Sequence, residues 1–133
     1  MPVIYHDKFY AALLLKNDQF THLAFFNDIF VGAICSRIEK DETTGELKLY
    51  IMTLAVLAPY RRFGIGKKLL DMATEQIKNK KIPVKEIYLN VQTSNETAIE
   101  FYKKMGFVIT REQKDYYKNI EPPHAYFLSK NIQ

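Results

Sequence analysis

The chain has no tryptophan, one cysteine, and only five glycines and five prolines in 133 residues. One cysteine closes no intramolecular disulfide, and Cys35 lies inside the apolar run "IFVGAICSRIE". A disulfide framework is therefore excluded and a reducing compartment is expected. Nowhere do roughly 20 apolar residues follow one another, the length that spans a bilayer. The opening "MPVIYHDKFY" lacks the basic and apolar regions of a secretion signal, so no membrane association is expected. Three isolated histidines and one cysteine give no metal-ligand spacing, and no metal is expected. Repeats, low-complexity tracts and linkers are also missing. That leaves one domain over residues 1–133, long enough to bury a core without staples.

The charge that is present sums to +4, which favours anionic partners without naming one. The basic residues are scattered and often have acids nearby. Tyr116 and Tyr117 near lysines could stack bases, but a nucleic-acid module is the weakest of the functions considered.

Hydrophobic periodicity divides the chain into elements. Asp7 to about Lys16 reads as a short helix capped by Asp7. "THLAFF" and "IFVGAICSRIE" read as strands joined at Asn27-Asp28, a hairpin signal, and "LKLYIMTLAV" as a third strand. Ile65, Leu69, Met72, Ala73 and Ile77 then recur at helical spacing, and Pro83 closes that helix. "EIYLNV" alternates, with Tyr88 and Asn90 on one face. "TSNETAIEFYKKMGF" is a second helix: Thr93, Ser94 and Asn95 are candidate caps, Glu96 supports a capping box, and Gly106 stops it. "VITREQK" and "AYFLSK" close the chain around the loop "DYYKNIEPPH". The strand–helix–strand unit in the middle requires one parallel, right-handed crossover.

The stretch "LAVLAPYRRFGIGKKLL" carries the chemistry. It lacks the residues of a Walker loop and the third glycine of a dinucleotide fingerprint. What remains is Arg61-x-x-Gly64-x-Gly66 between a strand and an amphipathic helix. Peptide N–H groups and the helix N-terminus there suit an anion, ringed by Arg61, Arg62 and Lys67. Taken alone, the loop fits a structural turn equally well.

A second motif follows it: Asn95-x-x-Ala98-x-x-Phe101-Tyr102-x-x-x-Gly106-Phe107. Together the two resemble the GNAT acetyltransferase superfamily at both of its signature regions. The resemblance implies an α/β (α+β) fold, a mixed central sheet of about six strands with flanking helices and one parallel β-α-β crossover. It also implies acetyl-CoA as cosubstrate. Its pyrophosphate would lie on Arg61, Arg62, Gly64, Ile65, Gly66 and Lys67, with Leu54, Val56, Asn95 and Tyr102 along the pantetheine arm and sulfur. Tyr102 would protonate the departing thiolate; its other reading is an aromatic in the apolar stripe of the helix.

The segments "YIMTL", "VLAPYRR", "FNDI", "VGA", "DKFY" and "YYK" further resemble the NatE, or San, group of N-terminal acetyltransferases. That implies acetylation of the α-amine of nascent chains beginning Met followed by an apolar residue, and docking on the NatA complex at the ribosome. The cytoplasm is the expected location, with the nucleus a second. Members carry a first strand and helix ahead of the "PV-Y" motif that this sequence does not contain, and Met1 stands where they have an aromatic. An uncovered face and an unpaired sheet edge open to self-association are the expected consequences.

An α-amine has a pKa near 8 and needs only modest help from a base. A backbone N–H near Thr53–Leu54 is the expected oxyanion donor. In the NatE group a tyrosine and a histidine share the base role. Tyr50 matches the tyrosine, but the histidine position is Asn90, which takes no proton. Three readings remain. Tyr50 suffices while Asn90 orients a bridging water, which is the expectation; or His6, His22 or His124 substitutes; or the protein is a weak enzyme retained for binding. The resemblance maps the Met pocket to Pro2, Val3, Tyr5, Met52, Tyr116, Tyr117 and Ile120, walls that suit an apolar side chain. The alternatives are a lysine-side-chain or small-amine acetyltransferase, disfavoured because Asp115 and Glu121 are the only acids in the late hairpin, and a CoA-binding partner that docks on NatA.

Overall fold

The computed structural model describes residues 3–4, 9–16, 19–61 and 63–132, with the backbone alone for 3–4 and 9–16. Eight strands form one sheet: β1 (Val3–Ile4), β2 (Phe9–Lys16), β3 (Gln19–Phe26), β4 (Ile29–Lys40), β5 (Leu47–Val56), β6 (Val84–Gln92), β7 (Val108–Gln113) and β8 (Ala125–Asn131). Their spatial order is β1-β2-β3-β4-β5-β6-β8-β7. Helix α1 (Ile65–Asn79) connects β5 to β6, and α2 (Glu96–Lys104) follows β6. β5 and β6 pair in parallel and the other neighbours are antiparallel, so the expected α/β architecture with one parallel crossover is borne out.

Local chemistry sets most boundaries. Asn27 (φ 53°) and Asp28 (φ 65°) turn β3 into β4 with the left-handed backbone that tight hairpins need. α1 buries Ile65, Leu69, Leu70, Ala73 and Ile77 on one stripe, and Lys78 in its last turn complements the helix dipole. Asn95 caps α2 by accepting from the Ala98 N–H at 3.1 Å, so the box built on Thr93 and Glu96 does not form; Glu96 acts as first-turn charge.

The helix expected over Asp7–Lys16 is corrected: Phe9–Lys16 is strand β2, and Asp7 lies outside the described residues. A helix this short is marginal by itself. The backbone instead pairs with β3 from Phe9↔Phe26 to Lys16↔Gln19.

Alternation gives the sheet two unlike faces. One carries Phe20, Ala24, Ile34, Leu49, Ile87, Leu89 and Leu128, buried in one cluster with the apolar stripes of α1 and α2, and the buried polar residues His22 and Ser36. Each large side chain fully buried there contributes about 1.5–3 kcal/mol. The other face carries Arg37 and Glu39 (β4), Lys48 and Tyr50 (β5), Glu86, Tyr88 and Asn90 (β6), Phe127 (β8) and Arg111 (β7), related by direct pairing or by two-residue steps.

Two irregularities position side chains. Ser36 pairs Ile51 and Cys35 pairs Thr53, which leaves Met52 as the extra residue of a bulge in β5. Parallel pairing of β5 with β6 begins at Leu47↔Val84 and stops at Tyr50↔Tyr88. Beyond that point β5 continues with β4 and β6 with β8, so the two strands part.

Candidate active site

The glycine loop lies at the end of β5. Gly64 is the N-cap of α1 with φ 76°, and a Cβ built there would meet nothing within 4 Å, so conformation and open space both explain the glycine. Gly66 answers a packing demand instead, since a Cβ would sit 3.3 Å from the Phe101 ring of α2. No side chain caps α1, and its first turn presents N–H groups to the open side of the loop. Arg61 donates from Nε to the Val56 carbonyl at 2.9 Å, which ties it to the end of β5. Lys67 pairs with Asp71 at 2.7 Å, drawing its ammonium along the helix. Ile65 belongs to the core by its side chain and can serve the loop only through its peptide. Arg62 lies outside the described residues.

The parted strands form the second component. Leu54 and Val56 of β5 are half-buried against the core, and peptide groups of β5 and β6 past Tyr50 and Tyr88 make no bond to each other. Where the strands part, Tyr50 donates its hydroxyl proton to Asn90 Oδ1 at 2.6 Å. Asn90 Nδ2 in turn donates to the Tyr117 hydroxyl at 2.9 Å. Both ends of the amide are thus used to hold tyrosine hydroxyls. Burial raises the Tyr50 phenol above its usual value, nearby Tyr116 adds to the rise, and the Arg37 cation opposes it. Tyr50 is therefore a neutral donor at physiological pH. Its oxygen keeps lone pairs free to accept from an amine or a water.

Tyr102 on α2 is 6% exposed, edge-on to Phe101 and Phe107 with centroids 5.1 and 5.3 Å away. Burial pushes its phenol up, keeping it protonated. Asn95 accepts the helix cap bond with its side-chain oxygen, and its amide nitrogen remains as a donor for another partner.

The loop between β7 and β8 forms a wall. Gln92 donates to the Pro122 carbonyl at 2.8 Å, Tyr117 N–H to the Pro123 carbonyl at 2.8 Å, and Asp115 N–H to His124 Nδ1 at 3.1 Å. Those bonds bring Tyr117 to Asn90 and place Tyr116 edge-on to Phe127, centroids 5.4 Å apart. Met52 accepts from Arg37 at 3.9 Å on the same side. Ile120 is 43% exposed at the loop tip. Pro2 and Tyr5 lie outside the described residues, as does the Val3 side chain.

The structure also decides among the histidines. His22 is buried on the opposite face from Tyr50, beneath α1. His124 spends Nδ1 on the loop, and His6 is outside the described residues. Neither described imidazole joins the tyrosines.

Sequence reasoning missed a ring of charge around them. Tyr88 stacks beside Tyr50 at 4.9 Å and donates to the Glu39 carboxylate. Glu39 is held by Arg37 at 2.8 Å, whose guanidinium lies 5.2 Å over the Tyr50 ring. The alternation in "SRIEK" puts Arg37 and Glu39 on one face, but only the register of β4 against β5 shows whose face it is.

The model of the acetyltransferase (GNAT) family matches residues 1–107. N-alpha-acetyltransferase 50 of Danio rerio is 49% identical over 132 residues, 99% of this chain and 76% of that protein. The probable N-acetyltransferase san of Drosophila melanogaster is 47% identical over 99% of this chain and 70% of its own length. Among solved structures, Arabidopsis thaliana Naa50 in complex with the bisubstrate analogue CoA-Ac-MVNAL superposes with a TM-score of 0.73 at 55% identity, covering 83% of this chain and 71% of that one. The chain belongs to the GNAT acetyltransferase family. Its geometry fits acetyl-CoA: the uncapped start of α1 with open space over Gly64 suits the pyrophosphate, and the unpaired strand edges suit the amides of the pantetheine arm.

Proposed function

We propose that this chain, acting as one domain over residues 1–133, is an N-terminal protein acetyltransferase for polypeptides beginning Met followed by an apolar residue. The names of its relatives, and the MVNAL peptide in the Naa50 complex, support that acceptor class. One structural observation carries the reading. The Tyr50–Asn90–Tyr117 chain stands where β5 and β6 part, and it offers neutral hydroxyl and amide groups beside aromatic walls. Glu39, the acid beside these tyrosines, is already committed to Arg37 and Tyr88. Such a site suits an amine that is neutral near pH 8 and carries an apolar side chain, and gives little hold to a polycation.

Acetyl-CoA supplies a thioester whose carbonyl carbon the neutral α-amine attacks directly. Tyr50, its own proton committed to Asn90, accepts a hydrogen bond from the amine or a bridging water and so orients it. The C–N bond forms, the nitrogen sheds a proton to solvent through this path, and a β5 peptide N–H near Leu54 meets the oxyanion. As the C–S bond breaks, Tyr102 gives its proton to the sulfur and takes one back from solvent as the thiol leaves. Asn90 positions both tyrosines.

The test is acetyl transfer to a Met-Leu peptide, against a Ser-starting peptide and an amino-blocked peptide with an internal lysine. Transfer confined to the free Met-Leu amine is expected. Transfer to the internal lysine would make it a side-chain enzyme, and coenzyme binding with no transfer would make it a docking partner. The resemblance to the NatE group supports work in the cytoplasm on nascent chains, bound to NatA at the ribosome. Co-sedimentation with NatA-bearing ribosomes checks that proposal.

A further inference from the structure

We infer that Arg111 reads the third or fourth residue of the acceptor and favours an acidic side chain there. The inference deepens the function proposed above and rests on an acceptor peptide whose α-amine lies at Tyr50 and Asn90. Three observations carry it.

The first is register. Asn90 pairs Phe127 across β6 and β8, and Phe127 pairs Arg111 across β8 and β7, so the three stand in one row on the tyrosine face. Thr110 is the extra residue of a bulge in β7; without it Thr110, not Arg111, would oppose Phe127. The bulge is pinned by the Thr110 hydroxyl, which donates to the Phe127 carbonyl at 3.1 Å.

The second is preorganisation. The Arg111 guanidinium lies 3.9 Å over the Phe127 ring, and Nη1 donates to Gln113 at 2.7 Å. Tyr116 packs edge-on against the same ring, linking this cation to the loop that brings Tyr117 to Asn90. These contacts hold the exposed head group over the ring, so less side-chain freedom is left to lose on binding.

The third is charge. On this face Arg37 is paired with Glu39 at 2.8 Å and Lys48 with Glu86 at 3.0 Å. Among the described residues Arg111 has no carboxylate partner, so its donors other than the one held by Gln113 remain for a ligand. Reach agrees: two strand spacings of about 4.8 Å separate the strands of Asn90 and Arg111. An extended peptide advances about 3.4 Å per residue, which puts its third and fourth residues roughly 7–10 Å from the amine.

The test uses Met-Leu peptides carrying Glu, Gln or Lys at positions three and four, with the wild type, Arg111→Gln and Arg111→Glu. Two quantities are measured: kcat/KM for acetyl transfer, and peptide affinity for the coenzyme-A-loaded protein. Dividing the Glu value by the Lys value within each variant cancels differences in folding and overall activity. A ratio of about three- to ten-fold is expected for the wild type at low salt, the scale of an exposed ion pair gained and a like-charge contact avoided. It should fall to about one in Arg111→Gln and invert in Arg111→Glu. The same ratio in all three proteins overturns the inference. Should the wild type acetylate no Met-Leu peptide, the proposed function fails; an affinity ratio that follows the charge at position 111 still upholds the inference, and one that does not overturns it too.

Discussion

Replacing Asn90 by leucine, of similar size, removes both hydrogen bonds of the tyrosine chain, 2.6 Å to Tyr50 and 2.9 Å to Tyr117. Each is worth about 0.5–1.5 kcal/mol net. Both tyrosines are half-buried, so their freed hydroxyls can turn to water and no full desolvation cost is added. A loss of about 1–3 kcal/mol is expected, or roughly 4–11 °C in Tm for a domain of this size. A catalytic loss comes on top of it, because displacing a positioned group by about 1 Å can cost 10²-fold. Asn90→His separates holding from proton transfer. An imidazole has one acceptor and one donor, so it can keep both tyrosines while adding a group that titrates near 6.5. In the wild type the rise of kcat/KM with pH should follow the acceptor amine, near 8. Tyr50 lies above its usual value and stays protonated across this range. At pH 7 roughly a tenth of the amine is neutral, so a histidine that takes the amine's proton should help most there and should show a new limb near 6.5. Thiol release from acetyl-CoA with a Met-Leu peptide, followed from pH 6 to 9.5, reads all three proteins. An Asn90→Leu enzyme with wild-type kcat/KM would refute the positioning role. A histidine variant with an unaltered pH profile would show that position 90 does not face the proton path.

Tyr102→Phe should lower kcat by at least about tenfold with little change in Tm, since no protein partner to its hydroxyl is described; a large Tm drop with unchanged kcat would make it a packing residue. Gly64→Ala forces a side chain to φ 76° and should cost about 1–2 kcal/mol in urea unfolding, together with weaker acetyl-CoA binding. Gly66→Val drives a branch into Phe101 at 3.3 Å and should cost about 1–3 kcal/mol by overpacking. His22 is buried with Nδ1 unpartnered among the described residues, and burial holds its pKa below 6.5. The unfolded chain therefore takes up a proton first as pH falls. Stability should be full above about pH 6.5 and decline below it by up to about 1.4 kcal/mol per unit, until the folded pKa is reached. His22→Leu should flatten that slope in urea titrations at pH 5 to 8, and an unchanged slope would exonerate His22.

Whatever neighbouring residues encode is legible along the chain. Period, turn and cap signals placed β3 through β8, both helices and the Asn27-Asp28 hairpin, because the forces that set them act within a few residues. The glycine loop was legible for the same reason, since a left-handed N-cap that opens a helix needs Gly64 whatever surrounds it. Phe9–Lys16 was misread because its hydrogen bonds go to β3, a partner no window of local sequence contains. Only the tertiary structure showed that Asn90 spends both ends of its amide on tyrosines from β5 and the β7–β8 loop. Register against other strands likewise decided that Arg37 and Glu39 border Tyr50, and that the bulge at Thr110 turns Arg111 onto Phe127. A strand's faces follow from its own alternation, but which residues stand beside them is set by pairing across the sheet, and one inserted residue reverses the answer.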